Sequence, residues 1–75
     1  MKADDILNEL GYKKIIDNKT KITYQKKGEY FDKKIVFKLD DKTVQVEFDT
    51  YEVADINIQE LQVINKKCKE LGWIE

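Results

Sequence analysis

Short turns divide the middle of this chain into segments in which apolar and polar residues alternate. The clearest segment is 43–49, where Val44, Val46 and Phe48 alternate with polar residues, which is the period of a strand with one buried face. Three further segments with strand character cover residues 12–16, 21–26 and 31–39. Because connections this short join antiparallel neighbours, we predict a meander of three or four strands.

An amphipathic helix is predicted on each side of these strands. At the amino end, one helical stripe comprises Ala3, Ile6, Leu7 and Leu10. Gly11 follows this stripe as a helix-terminating residue able to adopt a left-handed conformation. At the carboxyl end, Asn57 and Glu60 have the spacing of a capping box, and Ile56 with Leu61 the spacing of a hydrophobic staple. The buried stripe of this second helix is predicted to comprise Leu61, Ile64, Cys68 and Leu71, with Gly72 ending the helix.

The fold class follows from the need to cover one face of the strands. An alternating strand requires one buried and one solvated face, and two amphipathic helices supply one apolar stripe each. We therefore predict a single α+β domain over residues 1–75. Its antiparallel sheet of three or four strands would carry both terminal helices on one face, in the order α-β-β-β(-β)-α.

The residue types that are missing limit the chemistry. The chain has no His, Pro, Arg or Ser and a single cysteine, Cys68. Without His there is no side chain that ordinarily titrates near neutrality to serve a nucleophile as base, and one cysteine provides neither a disulfide nor a zinc cluster. We expect no enzyme activity, no catalytic residues and no cofactor, and we interpret Cys68 as core packing on the second helix.

Carboxylates recur late in the chain. Glu47 and Asp49 fall on one strand face, followed by Glu52 and Asp55. Carboxylates so placed could bind a hard cation such as magnesium or calcium. Their spacing matches no calcium-binding loop, because a glycine at the bend and a closing Glu are missing. We interpret these residues as exposed strand polarity and expect no metal site.

Charge is distributed unevenly along the chain although the formal net charge is −1. Residues 13–42 carry ten lysines against five carboxylates, and residues 43–64 carry five carboxylates and no lysine. One hypothesis is nucleic-acid binding through 13–42, and another is an acidic inhibitor of a host defence nuclease built on 43–64. The plainer interpretation is that adjacent strands attract each other. Tyr24 and Phe37 fall on apolar strand faces, and the isoelectric point is near 5.5, so nucleic acid is an unlikely partner.

An aromatic pair lies beside a glycine turn between the second and third predicted strands. If exposed, Tyr30 and Phe31 would be typical anchors for a protein partner, and Tyr51 is a third candidate. The alternative is that Phe31 continues the buried face of the third strand while Tyr30 covers the sheet edge. Pairing of an edge strand with a second copy, giving a homodimer, is a further hypothesis, because so small a core gains from association.

A cytoplasmic location is expected from the same sequence. Its apolar runs fall short of the roughly 20 residues that span a bilayer, so no membrane association is expected. Residues 1–5 become acidic at once and lack the apolar stretch of a signal peptide. A lone cysteine suits a reducing compartment.

Both ends of the chain resemble small uncharacterised proteins encoded by phages and prophages of low-GC Gram-positive bacteria. The resemblance lies in Leu61–Trp73 (LQVINKKCKELGW) and Ile6–Tyr12 (ILNELGY), and the use of lysine in place of arginine agrees with it. It implies a phage or prophage accessory protein in the bacterial host cytoplasm, but it transfers neither an activity nor functional residues. We therefore expect a non-enzymatic protein that acts by binding an unidentified host or phage protein.

Overall fold

The computed structural model describes residues 1–50 and 54–75, and within these ranges the chain forms two helices and four strands. The elements are α1 (Ala3–Glu9), β1 (Tyr12–Asp17), β2 (Lys21–Lys26), β3 (Lys33–Lys38), β4 (Thr43–Phe48) and α2 (Ile58–Glu70). The strands lie in the order β1-β2-β3-β4, each antiparallel to the next. The predicted α+β meander between two helices is confirmed, with its first strand paired into the sheet.

Both helices cover the same face of the sheet. The buried cluster between the layers comprises Ala3, Leu7, Tyr12, Ile22, Tyr24, Ile35, Phe37, Val63 and Ile64. Tyr24 and Phe37 lie at its centre, with their rings edge to face and 5.8 Å apart, so the prediction that these two aromatics belong to the core is confirmed. Such pairs are worth about 0.5–1.5 kcal/mol beyond the area that they bury.

A β-bulge explains why β1 alternates poorly in sequence. Lys14 pairs with Tyr24, but the next paired residue is Ile16, opposite Thr23, so that Ile15 is skipped. The extra residue shifts the register by one, so that antiparallel pairing continues beyond it and two adjacent isoleucines fit in one strand. Ile15 is left half exposed on the outer strand.

The predicted capping box at the start of α2 is present. The Asn57 side chain accepts a hydrogen bond from the backbone N–H of Glu60 at 2.8 Å, and the Glu60 carboxylate accepts one from the N–H of Asn57 at 3.0 Å. At the other end Gly72 has a φ of 78°, and the N–H of Trp73 donates to the carbonyl of Cys68 at 2.9 Å. Both helix ends thus form as the local sequence predicts.

The predicted buried stripe of α2 is confirmed at Ile64, and Cys68 and Leu71 pack against the core, but the prediction was wrong at Leu61. Leu61 is 54% exposed, and the buried positions are Glu60, Val63, Ile64 and Lys67, with Cys68 and Leu71 only partly buried. Glu60 and Lys67, seven residues apart and so on one face, are turned inward because Glu60 pairs with Lys33 of the sheet and Lys67 pairs with Asp4 of α1. The Ile56–Leu61 pair expected to form a staple is half exposed at both residues.

The third strand begins two residues later than predicted. β3 starts at Lys33, so Phe31 lies in the preceding loop rather than in the strand. Lys33, which interrupts the apolar alternation in sequence, lies on the helix-covered face, where its ammonium group is bound by Glu60. The interruption therefore marks an ion pair beneath the helices.

Candidate functional site

The β2–β3 connection, residues 27–32 and here named the aromatic loop, presents two adjacent aromatic side chains to solvent. Tyr30 is 83% exposed and Phe31 is 52% exposed. The sequence leaves open whether Phe31 continues the buried face of the third strand. Because Phe31 precedes the first residue of β3, it lies at the surface. Two large aromatic side chains exposed side by side are unusual, because burial of apolar surface is favourable and adjacent exposed apolar groups often mark an interaction site.

Contacts from both neighbouring strands hold the aromatic loop in place. Gln25 of β2 donates a side-chain hydrogen bond to the Asp32 carboxylate at 2.7 Å. The N–H of Asp49, just after β4, donates to the Asp32 carbonyl at 2.8 Å. The rings of Phe31 and Phe48 lie 6.1 Å apart. The loop is therefore anchored at its base while the outer face of its aromatic pair stays in solvent.

Gly28 makes the tight turn of this loop sterically feasible. A Cβ atom at this position would lie 2.1 Å from the backbone carbonyl oxygen of Phe31. Such a distance is far inside van der Waals contact, and the obstructing atom belongs to the backbone and cannot rotate away. The conformation that displays Tyr30 and Phe31 thus requires glycine at position 28.

A second group of exposed apolar side chains lies at the start of α2. It comprises Ile56, Ile58 and Leu61. Lys33 donates a hydrogen bond to the carbonyl of Asp55 and pairs across the sheet with Phe48, so this helix end and the aromatic loop occupy the same end of the molecule. The apolar periodicity of α2 does not reveal this group, because it predicts Leu61 in the core. The heptad spacing of the oppositely charged residues Glu60 and Lys67 is the sequence signal that could have indicated this exposed group. The third predicted candidate, Tyr51, lies outside the described residues.

Beneath α2, Glu60 is the centre of a buried polar cluster. This carboxylate is only 3% exposed as a residue and accepts hydrogen bonds from the Tyr12 hydroxyl and, at 2.7 Å, from the Lys33 ammonium group. Burial raises the pKa of Glu60, but the hydrogen bonds from Lys33, Tyr12 and Asn57 outweigh it and hold the pKa below its usual value. Burial, followed by the bond to Glu60, raises the pKa of Tyr12.

Asp4 organises a second cluster between α1, β1 and α2. It accepts a hydrogen bond from the Tyr24 hydroxyl and pairs with Lys14 at 3.0 Å and Lys67 at 3.1 Å. Burial raises the Asp4 pKa, but the bonds from Tyr24, Lys14 and Lys67 outweigh it and lower the pKa to about 2. Burial and the Asp4 contact raise the pKa of Tyr24.

The two clusters have the properties of structural ion pairs. Both carboxylates are held ionised and both tyrosines are held neutral over the physiological range, since the shifts move every pKa away from neutrality. A general acid or base requires the opposite, a pKa brought close to working pH. We assign Asp4 and Glu60 to the attachment of the helices to the sheet.

Acid should weaken the attachment made by Asp4. Its folded pKa of about 2 lies below its ordinary value of 3.8, so its contribution is complete above pH 4 and is lost as the pH falls through the folded pKa. We expect the free energy of unfolding, measured by urea denaturation monitored by circular dichroism, to fall between about pH 4 and pH 2. Asp4→Asn should flatten this slope and reduce stability at pH 7 by about 1 kcal/mol or less, because the carboxylate is partly exposed.

Asp5→Asn is the matched control for this measurement. Asp5 is exposed in the same first turn of α1 and shares the interaction with the helix dipole without the ion pairs of Asp4. Its variant should keep the wild-type slope. Equal flattening in both variants would show that the dipole, and not the cluster, produces the acid dependence.

The lysines of segment 13–42 are divided between the two faces of the sheet. Lys14 and Lys33 are bound to carboxylates on the helix-covered side. On the opposite side lie Lys13, Lys21, Lys34 and Lys38, which share strand faces away from the core. The plainer interpretation of the charge pattern, mutual attraction of adjacent strands, finds Lys34 opposite Glu47 in the register, but the two side chains form no ion pair. The hypothesis of an acidic inhibitor built on 43–64 has one exposed carboxylate fewer, because Glu60 is buried and paired.

The late carboxylates and Cys68 are the remaining candidates for chemistry. Glu47 accepts a hydrogen bond from Gln45 at 2.8 Å, and the described residues contain no cluster of three or more side chains suited to hold a metal ion. Cys68 is partly buried, and this burial raises the pKa of its thiol. Among the described residues, neither helix has the length and apolar character needed to cross a membrane.

Comparison with known proteins identifies no relative. Models of protein families, curated protein sequences and solved structures were each compared with this chain, and none matches it.

Proposed function

We propose that this chain is a non-enzymatic protein-binding domain that holds its partner through the aromatic loop. The observation that carries the proposal is the exposure of Tyr30 and Phe31, adjacent residues on a loop whose base is fixed by hydrogen bonds to β2 and β4. Aromatic residues of this kind are enriched at protein interfaces, where a few of them supply most of the binding energy.

The energetics favour a loop of this construction. An aromatic side chain buries about 150–250 Å² when fully covered, and its two side-chain dihedral angles cost little entropy to fix. The Asp32 anchors and the steric demand at Gly28 restrict the backbone before any partner arrives. Binding then requires less ordering of the loop, which leaves more of the contact energy as affinity.

The biological setting follows from the resemblance of the two chain ends to phage and prophage proteins. We propose on that basis an accessory protein acting in the cytoplasm of a bacterial host, with a host or phage protein as partner. The partner class and the setting are separate parts of the proposal, and the loop experiment tests the first.

Removing both aromatic rings should abolish partner capture. We expect the double variant Tyr30→Ala, Phe31→Ala to lose stoichiometric partners in a tagged pull-down from a low-GC Gram-positive lysate, read by mass spectrometry with and without nuclease treatment. Truncation of an interface hot spot costs about 2 kcal/mol or more, so two together should weaken binding by at least about a thousandfold. Ile74→Ala is the control, since Ile74 is also an exposed apolar residue but lies beyond α2. Undiminished capture by the double variant would remove the loop from the proposal.

Gly28→Ala tests whether the shape of the loop matters as well as its rings. The variant keeps Tyr30 and Phe31 but forces the backbone away from the Phe31 carbonyl. We expect binding to weaken by about tenfold or more, equivalent to about 1.4 kcal/mol, with the circular dichroism spectrum unchanged. Wild-type affinity in this variant would mean that the partner shapes the loop.

A further inference from the structure

The face of the sheet opposite the helices carries an organised set of side chains, here named the open face. The cross-strand register aligns them in three rows. The rows are Lys13–Gln25–Lys34–Glu47, Ile16–Thr23–Val36–Gln45 and Lys21–Lys38–Thr43. Each residue alternates along its strand with the buried residues of the core, so these side chains point away from both helices.

Positive charge on the open face is not neutralised by the chain itself. The rows contain four lysines and one carboxylate, and the Asp32 carboxylate, bound by Gln25, adjoins them, which leaves an excess of positive charge. Lys21 lies directly opposite Lys38, an arrangement in which like charges repel and destabilise the pair. None of the four open-face lysines forms an ion pair with a described residue, whereas Lys14, Lys33 and Lys67 on the other side all do. Lys26, on the helix-covered side, also lacks an ion pair with a described residue, but the open face is the sheet surface on which all strand lysines are unpaired.

The centre of the open face is unlike its rim. Thr23 and Val36, which pair across β2 and β3, are buried although no described helix covers them. Their neighbours on this face include long lysine and glutamine side chains, whose stems shield small residues between them. The Thr23 hydroxyl has no hydrogen-bond partner among the described residues. A small apolar centre with one unpaired hydroxyl therefore lies between the two rows that carry the lysines.

The chemistry of this surface favours carboxylates on a protein over phosphates on a nucleic acid. Single-stranded nucleic acids gain much of their affinity by stacking bases on aromatic rings interleaved with the basic groups. The lysine rows of the open face contain no aromatic residue, since Tyr24 and Phe37 are buried on the other side and the exposed pair Tyr30 and Phe31 lies in the aromatic loop beyond the rows. The chain lacks arginine, whose guanidinium group forms bidentate hydrogen bonds with phosphate, and its net charge is −1. Lysine ammonium groups around an aliphatic centre instead complement an acidic protein surface.

We propose that the open face docks a carboxylate-rich surface of the same protein partner that the aromatic loop anchors. This inference rests on the proposed protein-binding function and adds the chemistry of the partner. Gln25 connects the two regions, because it lies on the open face and binds Asp32 at the base of the loop. An apolar pocket of the partner would cover Tyr30 and Phe31. Acidic groups of the same partner would lie along the lysine rows.

Polyglutamate provides a probe that tests the open face separately from the loop. Titrated into the ¹⁵N-labelled protein, poly-L-glutamate should shift the backbone amide signals of Thr23, Lys34 and Val36, with binding that weakens as salt is raised. Lys34→Glu with Lys38→Glu should weaken binding by about tenfold or more. Lys66→Glu with Lys69→Glu, an equal charge change on α2, should leave it nearly unchanged. Tyr30→Ala with Phe31→Ala should also bind polyglutamate normally, so failure here is distinguishable from failure of the loop.

Three results would overturn the inference. Amide shifts concentrated on the helices would place the anion elsewhere, and equal weakening by both lysine pairs would show a general charge effect. Tighter binding of oligothymidylate of matched charge, with the same open-face shifts, would assign the surface to nucleic acid.

Discussion

Glu60→Ala should lower the free energy of unfolding by about 3–5 kcal/mol, since removing one partner of a buried ion pair leaves the other charge uncompensated. The stranded group is the Lys33 ammonium, whose side chain is mostly buried, and the Tyr12 hydroxyl loses its acceptor in the same step. The capping box loses its carboxylate as well. Small domains are stable by about 5–15 kcal/mol, with this chain among the shortest, so a large unfolded fraction should be visible in the thermal circular dichroism transition.

A double-mutant cycle separates the ion pair from the other roles of Glu60. Glu60→Gln removes the charge and keeps one amide oxygen, which can still accept from the N–H of Asn57 while the amide NH2 donates to the Tyr12 hydroxyl oxygen. Lys33→Met removes the opposite charge while keeping the stem. We expect the double variant to be more stable than the sum of the single changes predicts, by about 1–3 kcal/mol. Additivity within about 0.5 kcal/mol would show that the charges do not interact appreciably.

Phe37→Ala should be comparably destabilising, by about 3–5 kcal/mol, because truncation of a fully buried phenylalanine loses transfer free energy and leaves a cavity. Phe37 is the residue on which Tyr24 and Trp73 both pack, with ring centroids 5.8 Å and 6.3 Å away. Trp73 is the single tryptophan of the chain, so its fluorescence reports this site directly. Urea denaturation followed by fluorescence and circular dichroism measures the loss.

Phe31→Ala is the control for the Phe37 variant. It deletes the same atoms from a side chain that is half exposed, where substitutions usually change stability by less than about 1 kcal/mol. Equal losses in the two variants would contradict the assignment of Phe37 to the centre of the core and of Phe31 to the surface.

The features that sequence predicted correctly depend on contacts between neighbours in the chain. The alternation of Val44, Val46 and Phe48 defines one strand face, and the short turns leave adjacent strands no arrangement but antiparallel pairing. The caps at Asn57 and Gly72 are set by groups three or four residues away. Local periodicity and local hydrogen bonding therefore determined the order of elements and their boundaries to within a few residues.

The rotation of α2 depended on residues far away in sequence. From the apolar residues alone, Leu61 belongs inside and Glu60 outside, yet Lys33, 27 residues earlier, and Tyr12, 48 residues earlier, are the partners that make burial of Glu60 favourable. A charged side chain is buried only where its partner is already positioned. The heptad spacing of Glu60 and Lys67 shows that the two share a helix face, but the helix alone does not show that this face is buried.

The candidate site was determined in the same two stages. Sequence alone identified Tyr30 and Phe31 as an aromatic pair beside a glycine turn, together with an excess of lysine in 13–42. Only the tertiary structure decided that β3 begins at Lys33, which leaves Phe31 in solvent. It also decided that Lys14 and Lys33 are ion-paired under the helices, while the strand lysines of the open face form no ion pair with a described residue. Residue identity and local periodicity can be read along the chain, but exposure and charge neutralisation depend on what packs against each residue, and that is determined by distant segments.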